Sequence, residues 1–331
     1  MNKKTDIKRP IPIIMGPTAS GKTQLAVALA KQIGGEIISA DSRQVYRGMN
    51  IGTGKDYNEY LADNQQIKYH LIDILDAGEK YDVSRFKEDS LNAIDNIQNR
   101  NKTPIICGGT GLYIEALLRD FETLNVPPNE ELRKELLEKT TEELLKLLNK
   151  IAPNHGVDTS TRKRIIRGIE VSKIANKRKK ISLHKKTVLD SARTDKTTSK
   201  MQTYKLFCLN PSVELRRKKI TQRLRQRIEN EGLIEEVDNL LKNGLTPEQL
   251  IYYGLEYKFI TEHLQGNWTK DKLFERLNTA IHRFAKRQMT FFRSMEKRGL
   301  EIHWINGDLR TEERLGVVLG ELGDTPLPTV G

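Results

Sequence analysis

Cysteine is nearly missing from this chain of 331 residues. Cys107 and Cys208 are the only two, they stand far apart, and neither belongs to a spacing that holds a metal ion. That argues against a disulfide framework and a thiolate zinc site. Long apolar runs are also missing: none approaches the roughly eighteen residues that a membrane span needs. The basic N-terminus, Met1 to Pro10, leads into a short strand and a glycine-rich turn. A signal peptide would show an apolar core and a cleavage site there, so the expectation is a soluble, cytoplasmic protein. No internal repeat is found. Acids are in deficit, 44 Asp and Glu against 56 Lys and Arg, a formal net charge of +12. A surplus of that size attracts polyanions and speeds encounter with them. Nucleic acid leads the candidate partners, with plain solubility as the other reading.

What is present alternates strand with helix through the first third. Ile11–Met15 reads as a strand, Lys22–Ile33 as a helix and Glu36–Ser39 as a second strand. Tyr69–Ile74 reads as a strand, Val83–Arg100 as a helix, Thr103–Cys107 as a strand, and Gly111–Leu118 as a helix that Thr110 can cap. This predicts a parallel sheet covered on both faces, with ligands at the carboxyl ends of its strands. After Phe121 the pattern turns helical, with Asn129–Lys150 rich in Leu, Glu and Lys and Ser160–Ala175 strongly basic. Lys177–Lys200 is polar and aperiodic and reads as a mobile linker. Tyr204–Leu209 restores an apolar strand that can rejoin the sheet, helices follow at Ser212–Glu231, Leu233–Lys242 and Asp271–Lys297, and the tail from Gly307 is expected to fray. The domain reading is therefore a core over 1–120, a helical insertion over 121–202, and core completion over 203–331.

Gly16-Pro17-Thr18-Ala19-Ser20-Gly21-Lys22-Thr23 fits G-x-x-x-x-G-K-[ST] between a strand and a helix. Glycines let backbone N–H groups turn inward around phosphate oxygens, the helix N-terminus adds positive potential, Lys22 reaches the terminal phosphates, and Thr23 can hold Mg²⁺. The motif alone specifies a diphosphate or triphosphate, by default ATP or GTP. Hydrolytic enzymes of this type have an apolar strand that ends in a Mg²⁺-supporting aspartate. Here Pro104–Cys107 runs into Gly108-Gly109-Thr110-Gly111 with no carboxylate, although Asp73 and Asp76 follow another apolar segment. Beside the cradle, Asp41 ends the second strand. It is either a base facing the phosphate pocket or a turn and capping aspartate.

Several short blocks in one order resemble the tRNA dimethylallyltransferase, or isopentenylpyrophosphate transferase, family in its bacterial type. They are Gly16–Thr23, Asp41–Tyr46, Met49–Lys55, His70–Leu75, Gly108–Tyr113, Arg164–Val171, Gly254–Lys258 and Ala285–Arg293. The resemblance covers most of the chain. It implies a P-loop NTPase-like α/β core with an inserted all-helical tRNA-binding domain, acting as a monomer. It implies that the cradle takes the diphosphate of dimethylallyl diphosphate. The prenyl group then goes to the N6 amine of the adenosine immediately 3′ of the anticodon, giving N6-(dimethylallyl)adenosine and diphosphate. In that scheme Asp41 is the general base, and Thr23, with Mg²⁺ and an arginine, stabilises the leaving diphosphate. Arg223-Leu-Arg-Gln-Arg227 supplies the arginine, Arg223 first and Arg227 second, or both are solvated charges on a helix.

Chemistry on an anticodon adenine requires the base to leave its stack. Asp41, Ser42, Arg43 and Gln44 then meet it, with Thr110 on the neighbouring loop. The resemblance places tRNA contacts at Lys163, Arg164, Ile165, Ile166 and Arg167, within a run from Arg162 to Lys186 that carries a single acid, Glu170. Three departures from the family pattern stand at Asp56, Tyr69 and Asp158–Thr161, and none touches the expected chemistry. The alternatives are an adenylate isopentenyltransferase, a P-loop nucleotide kinase, and a non-catalytic P-loop protein that binds RNA. The basic insertion disfavours the first two, and the third leaves Asp41 without a task.

Overall fold

A computed structural model describes residues 9–62, 65–119, 126, 128–153, 155, 157–186 and 202–324, the side chains of 62 and 177–186 excepted. The chain divides into two compact units, Met1–Leu118 with Gln202–Gly331, and Arg119–Met201.

The first unit begins with β1 (Ile11–Met15), α1 (Lys22–Ile33) and β2 (Gly35–Ser39). A short hairpin of β3 (Leu61–Ala62) and β4 (Gln65–Gln66) precedes β5 (Tyr69–His70), α2 (Val83–Asn99), β6 (Thr103–Gly108) and α3 (Gly111–Leu118). In the second unit lie α4 (Glu130–Leu137), α5 (Thr141–Ile151) and α6 (Arg162–Lys186). The first unit resumes with β7 (Tyr204–Asn210), α7 (Val213–Glu229), α8 (Leu233–Lys242), α9 (Pro247–Tyr252), α10 (Leu255–Leu264), α11 (Lys270–Lys297), β8 (Ile302–Asn306) and α12 (Thr311–Leu322).

Six strands form one sheet in the order β5-β2-β6-β1-β7-β8, and every pair in it is parallel. Strand alternation explains how both faces are covered. Ile11, Ile13 and Met15 of β1, with Ile106 and Cys208, face one cluster that includes Phe86, Ile114, Leu224 and Met289. Ile14, with Ile105, Phe207 and Leu209, faces the other, where Leu25 and Leu29 of α1 meet Val318 and Leu319 of α12. Burying each such aliphatic side chain contributes about 1.5–3 kcal/mol. α1 stops at Gly34, whose positive φ lets its N–H return to the Ala30 carbonyl.

Five expectations need correction. Tyr69–Ile74 is a strand only as far as His70, because Leu71 and Asp73 take positive φ values of 61° and 55° that end the extended run. Asn129–Lys150 is two helices, because Thr140 and Glu143 form a reciprocal capping box that starts α5 afresh. The backbone of α6 continues to Lys186, well into the stretch read as a linker, and 187–201 lie outside the described residues. α9 and α10 fill a segment for which no helix was expected, α9 opening on a Thr246–Gln249 capping box with Pro247 in its first turn. Beyond Gly307 the chain makes α12, whose apolar stripe covers α1, while β8 just before it pairs with β7. Residues from 325 onward lie outside the described residues.

Candidate active site

Three neighbouring strands deliver the site. β1 ends in the cradle, β2 in Asp41 and β6 in Gly108–Thr110, all at their carboxyl ends. The loops are tied directly: Ala40 donates its N–H to the Cys107 carbonyl at 2.8 Å, Thr110 N–H reaches the Ala40 carbonyl, and the Thr110 hydroxyl accepts from Ser42 N–H at 3.2 Å. That hydroxyl is therefore used between loops, while the Thr110 carbonyl opens α3. Gly108 and Gly109 leave no room for side chains: a Cβ on Gly108 would lie 2.2 Å from the Ala40 carbonyl oxygen.

A cavity of about 790 Å³ opens here, lined by Thr18 to Gln24, Asp41 to Gln44, Gly108 to Gly111 and residues of the C-terminal half. Gly16 and Pro17, expected in the cradle, do not line the cavity. The N-cap of α1 is Gly21, at φ 81°, with no side-chain cap, so no side chain competes with an anion for the first amides of the helix. Ala19 also takes a left-handed φ, 60°, a conformation costing an L-residue on the order of 1 kcal/mol and more. Ser20 Oγ is buried without a hydrogen-bond partner among the described residues.

Asp41 Oδ1 accepts the Arg43 N–H at 2.9 Å, which is the turn role. Its second oxygen has no partner among the described residues, so the same carboxylate can also take a proton in the cavity. Gln44 is fixed by the Ser39 hydroxyl at 2.8 Å and donates to the Gly54 carbonyl at 2.9 Å. Arg43 lies over the Tyr252 ring, 5.0 Å from its centroid.

The two arginines separate cleanly. Arg223 reaches the cradle and donates to the Thr18 hydroxyl, whereas Arg227 donates to both oxygens of Asp56, at 2.8 and 3.0 Å. Burial, then the charge of Arg227, pulls the Arg223 pKa down to about 10. It remains a cation at neutral pH and gains from any anion placed beside it. Arg223 is thus the arginine that reaches the cradle, and Asp56, expected to be incidental, is the counter-charge of Arg227. Lys219, Arg223 and Arg227 recur every four residues along α7 and all line the cavity, a spacing that sequence inspection can find.

Other lining residues carried less signal. Glu59 and Glu256 are pushed above their ordinary carboxyl range chiefly by burial. Gln288 of α11 accepts the Thr18 N–H and donates to the Gly109 carbonyl, both at 2.9 Å, and so clamps the cradle to the β6 loop. It sits inside the Ala285–Arg293 block, but nothing local announces a partner 270 residues away.

The remaining expected contacts lie in the second unit, on α6. Ile165 and Ile166 are 0% and 7% exposed and pack with Leu136, Leu144 and Leu148. Their side chains hold that unit together, so any contact they make with RNA is through the backbone. Arg164 pairs with Asp158, and Arg167 with Glu170 at 3.1 Å. Lys163 is exposed. The side chains of Lys177 to Lys186 lie outside the described residues.

Residues 44–295 match the family model described as IPP transferase. The chain is 46% identical over 310 residues to tRNA dimethylallyltransferase 2 of Bacteroides fragilis, covering 93% of this chain and 96% of that one. The chain belongs to the IPP transferase family. It is equally similar, at 46% over 307 residues, to tRNA dimethylallyltransferase 1 of Parabacteroides distasonis, covering 92% and 95% of the two chains. Among solved structures, the full-length tRNA isopentenylpyrophosphate transferase of Bacillus halodurans superposes with TM-score 0.65 at 29% identity, covering 96% of this chain and 97% of that one. A eukaryotic dimethylallyltransferase acting on tRNA shares the fold, with TM-score 0.72 at 22% identity over 97% and 81% of the chains. As an IPP transferase the chain is a transferase with a mixed α/β core. No helix among the described residues is long and apolar enough to cross a membrane.

The site suits one metal arrangement better than another. Among the described residues no group of three or more His, Cys, Asp or Glu side chains is placed to hold a metal ion. Mg²⁺ needs little of that kind, because it keeps several waters and takes its other oxygens from substrate phosphates. The Thr23 hydroxyl, at the first turn of α1 and on the cavity wall, fits as its protein ligand.

Proposed function

We propose that this chain transfers a dimethylallyl group from dimethylallyl diphosphate to the N6 amine of the adenosine immediately 3′ of a tRNA anticodon, as a cytoplasmic monomer. The observation that supports this most directly is one cavity holding an uncapped phosphate cradle, a half-buried arginine against it, and an aspartate with one oxygen that has no partner among the described residues. Family membership and the relatives' activity favour this reading over a nucleotide kinase or an adenylate isopentenyltransferase.

The first amides of α1 and Lys22 hold the diphosphate, and Arg223, held against the Thr18 hydroxyl, meets the charge that grows as the allylic carbon–oxygen bond breaks. Adenine N6 forms the new carbon–nitrogen bond, and its proton passes to the free oxygen of Asp41. Arg43, Gln44 and Thr110 line the space into which the extruded base turns. Mg²⁺ held by Thr23 would supply further neutralisation of the leaving diphosphate. Purified protein incubated with dimethylallyl diphosphate and unmodified tRNA should yield prenylated adenosine by mass spectrometry of the digested RNA, without ATP. Hydrolysis of ATP at a tRNA-stimulated rate, with the RNA left unprenylated, would refute the reading.

A further inference from the structure

Behind the cradle lies a cation that the chemistry above does not use. Arg314 of α12 is 3% exposed, and its guanidinium donates to three backbone or hydroxyl oxygens: Ser20 carbonyl at 3.2 Å, Thr311 hydroxyl at 3.0 Å and Arg310 carbonyl at 3.4 Å. No carboxylate lies within ion-pairing distance among the described residues. Burial lowers its pKa from the ordinary value, and the field of Glu312 on the same helix opposes that in part. A charge removed from water without a counter-charge is costly, and the cost falls if an anion arrives nearby.

The contact also orients a peptide group. Ser20 C=O and Gly21 N–H belong to one planar trans unit and point in opposite directions. Anchoring the carbonyl on Arg314 turns the Gly21 N–H the other way and keeps a repelling oxygen out of the cradle. The guanidinium sits close enough that a Cβ on Gly21 would come 3.1 Å from its Nη1. We propose that Arg314 is a positioning residue for the diphosphate: it aims the Ser20–Gly21 peptide from behind, and its unpaired charge is answered by the anion on the far side of the loop. The inference rests on reading the cradle as the diphosphate site.

The test is calorimetric titration of the full-length protein with inorganic diphosphate, comparing the parent with Arg314→Met and Arg314→Lys. A unit charge acting on another at an effective dielectric near 20 is worth about tenfold in affinity at about 12 Å and more at shorter range, so tenfold is the least to expect across one backbone layer. Arg314→Met should therefore bind diphosphate at least about tenfold more weakly, Arg314→Lys should recover most of that loss, and tRNA affinity should be unchanged in both. Should Arg314→Met not fold, Arg314→Gln, which keeps a donor for Ser20 and drops the charge, gives the same contrast. Parent-like affinity in the charge-free variant overturns the proposal, as does an equal loss in Arg314→Lys, which would make shape the determinant. A parent that itself fails to bind diphosphate overturns the reading of the cradle, a separate result.

Discussion

Replacing Glu236 with glutamine should unlatch a wall of the site without touching the reacting groups. Glu236, on α8, accepts Asn50 and Ile51 N–H on one carboxylate oxygen, both at 2.8 Å, and Gly52 N–H at 3.0 Å with the Tyr257 hydroxyl at 2.8 Å on the other. Every lone-pair direction is matched by a donor. A glutamine presents an NH₂ to two of the four donors whichever way it turns, and only the Tyr257 hydroxyl can rotate to accept it, so one or two charge-assisted bonds are lost at about 1.5–3 kcal/mol each. Part of that is regained because Asn50 is exposed and water can reach it. The net expectation is about 3 kcal/mol, a large share of the roughly 5–15 kcal/mol that holds a domain folded. The segment so tethered carries Gly54, which receives Gln44, and Asp56, which receives Arg227. A urea titration should show a lower midpoint, and hydrogen exchange should show the amides of residues 50–52 losing protection. An unfolding free energy within about 0.5 kcal/mol of the parent, with those amides still protected, would mean that Glu236 does not hold the segment.

At the reacting centre, Asp41→Asn keeps the acceptor for Arg43 N–H but cannot take a proton, so single-turnover prenyl transfer should fall by roughly 10² to 10⁴ while diphosphate affinity holds; near-normal transfer would put the base elsewhere. Removing Arg164 and Arg167 together should weaken tRNA binding and flatten the log–log salt slope by on the order of one to two units if both reach phosphates. Because both are ion-paired in the free protein, an unchanged slope would leave them as braces for Asp158 and Glu170. Burial alone would raise the Glu170 pKa, but Arg133, Asn129 N–H and Arg167 hold it below the ordinary value of 4.5. A depressed carboxylate adds stability above its unfolded pKa and loses it as pH falls through the folded one. Acid titration should therefore destabilise the parent below about pH 4.5 more than Glu170→Gln, and parallel curves would exclude this group as the cause.

Much of this site is legible from local pattern because a phosphate cradle is itself local: a strand, a glycine turn and a helix start within thirteen residues of one another suffice, as does an aspartate at the next strand end. The break at Thr140 was legible too, since Thr140 and Glu143 carry the capping-box spacing. Gln288, Arg314 and the Arg227–Asp56 pair were not, because each joins residues 171 to 294 positions apart. Nothing in an apolar period or a turn residue encodes such distant partners. The Thr311–Leu322 helix escaped notice because its apolar stripe is short and its covered face becomes visible only against α1.

The same long-range ties bear on how the protein is made. β1 leaves the ribosome well before its neighbours β6 and β7, and the groups that fix the cradle, Gln288 and Arg314, follow later still. Loop closure over such separations is slow, and half-made parallel sheets expose unpaired edges. During synthesis the nascent chain therefore holds a strand, a glycine turn and a helix without a finished cavity. Phosphate-binding competence should be gained only after α11 and α12 have been made and close over a loop emitted almost three hundred residues earlier.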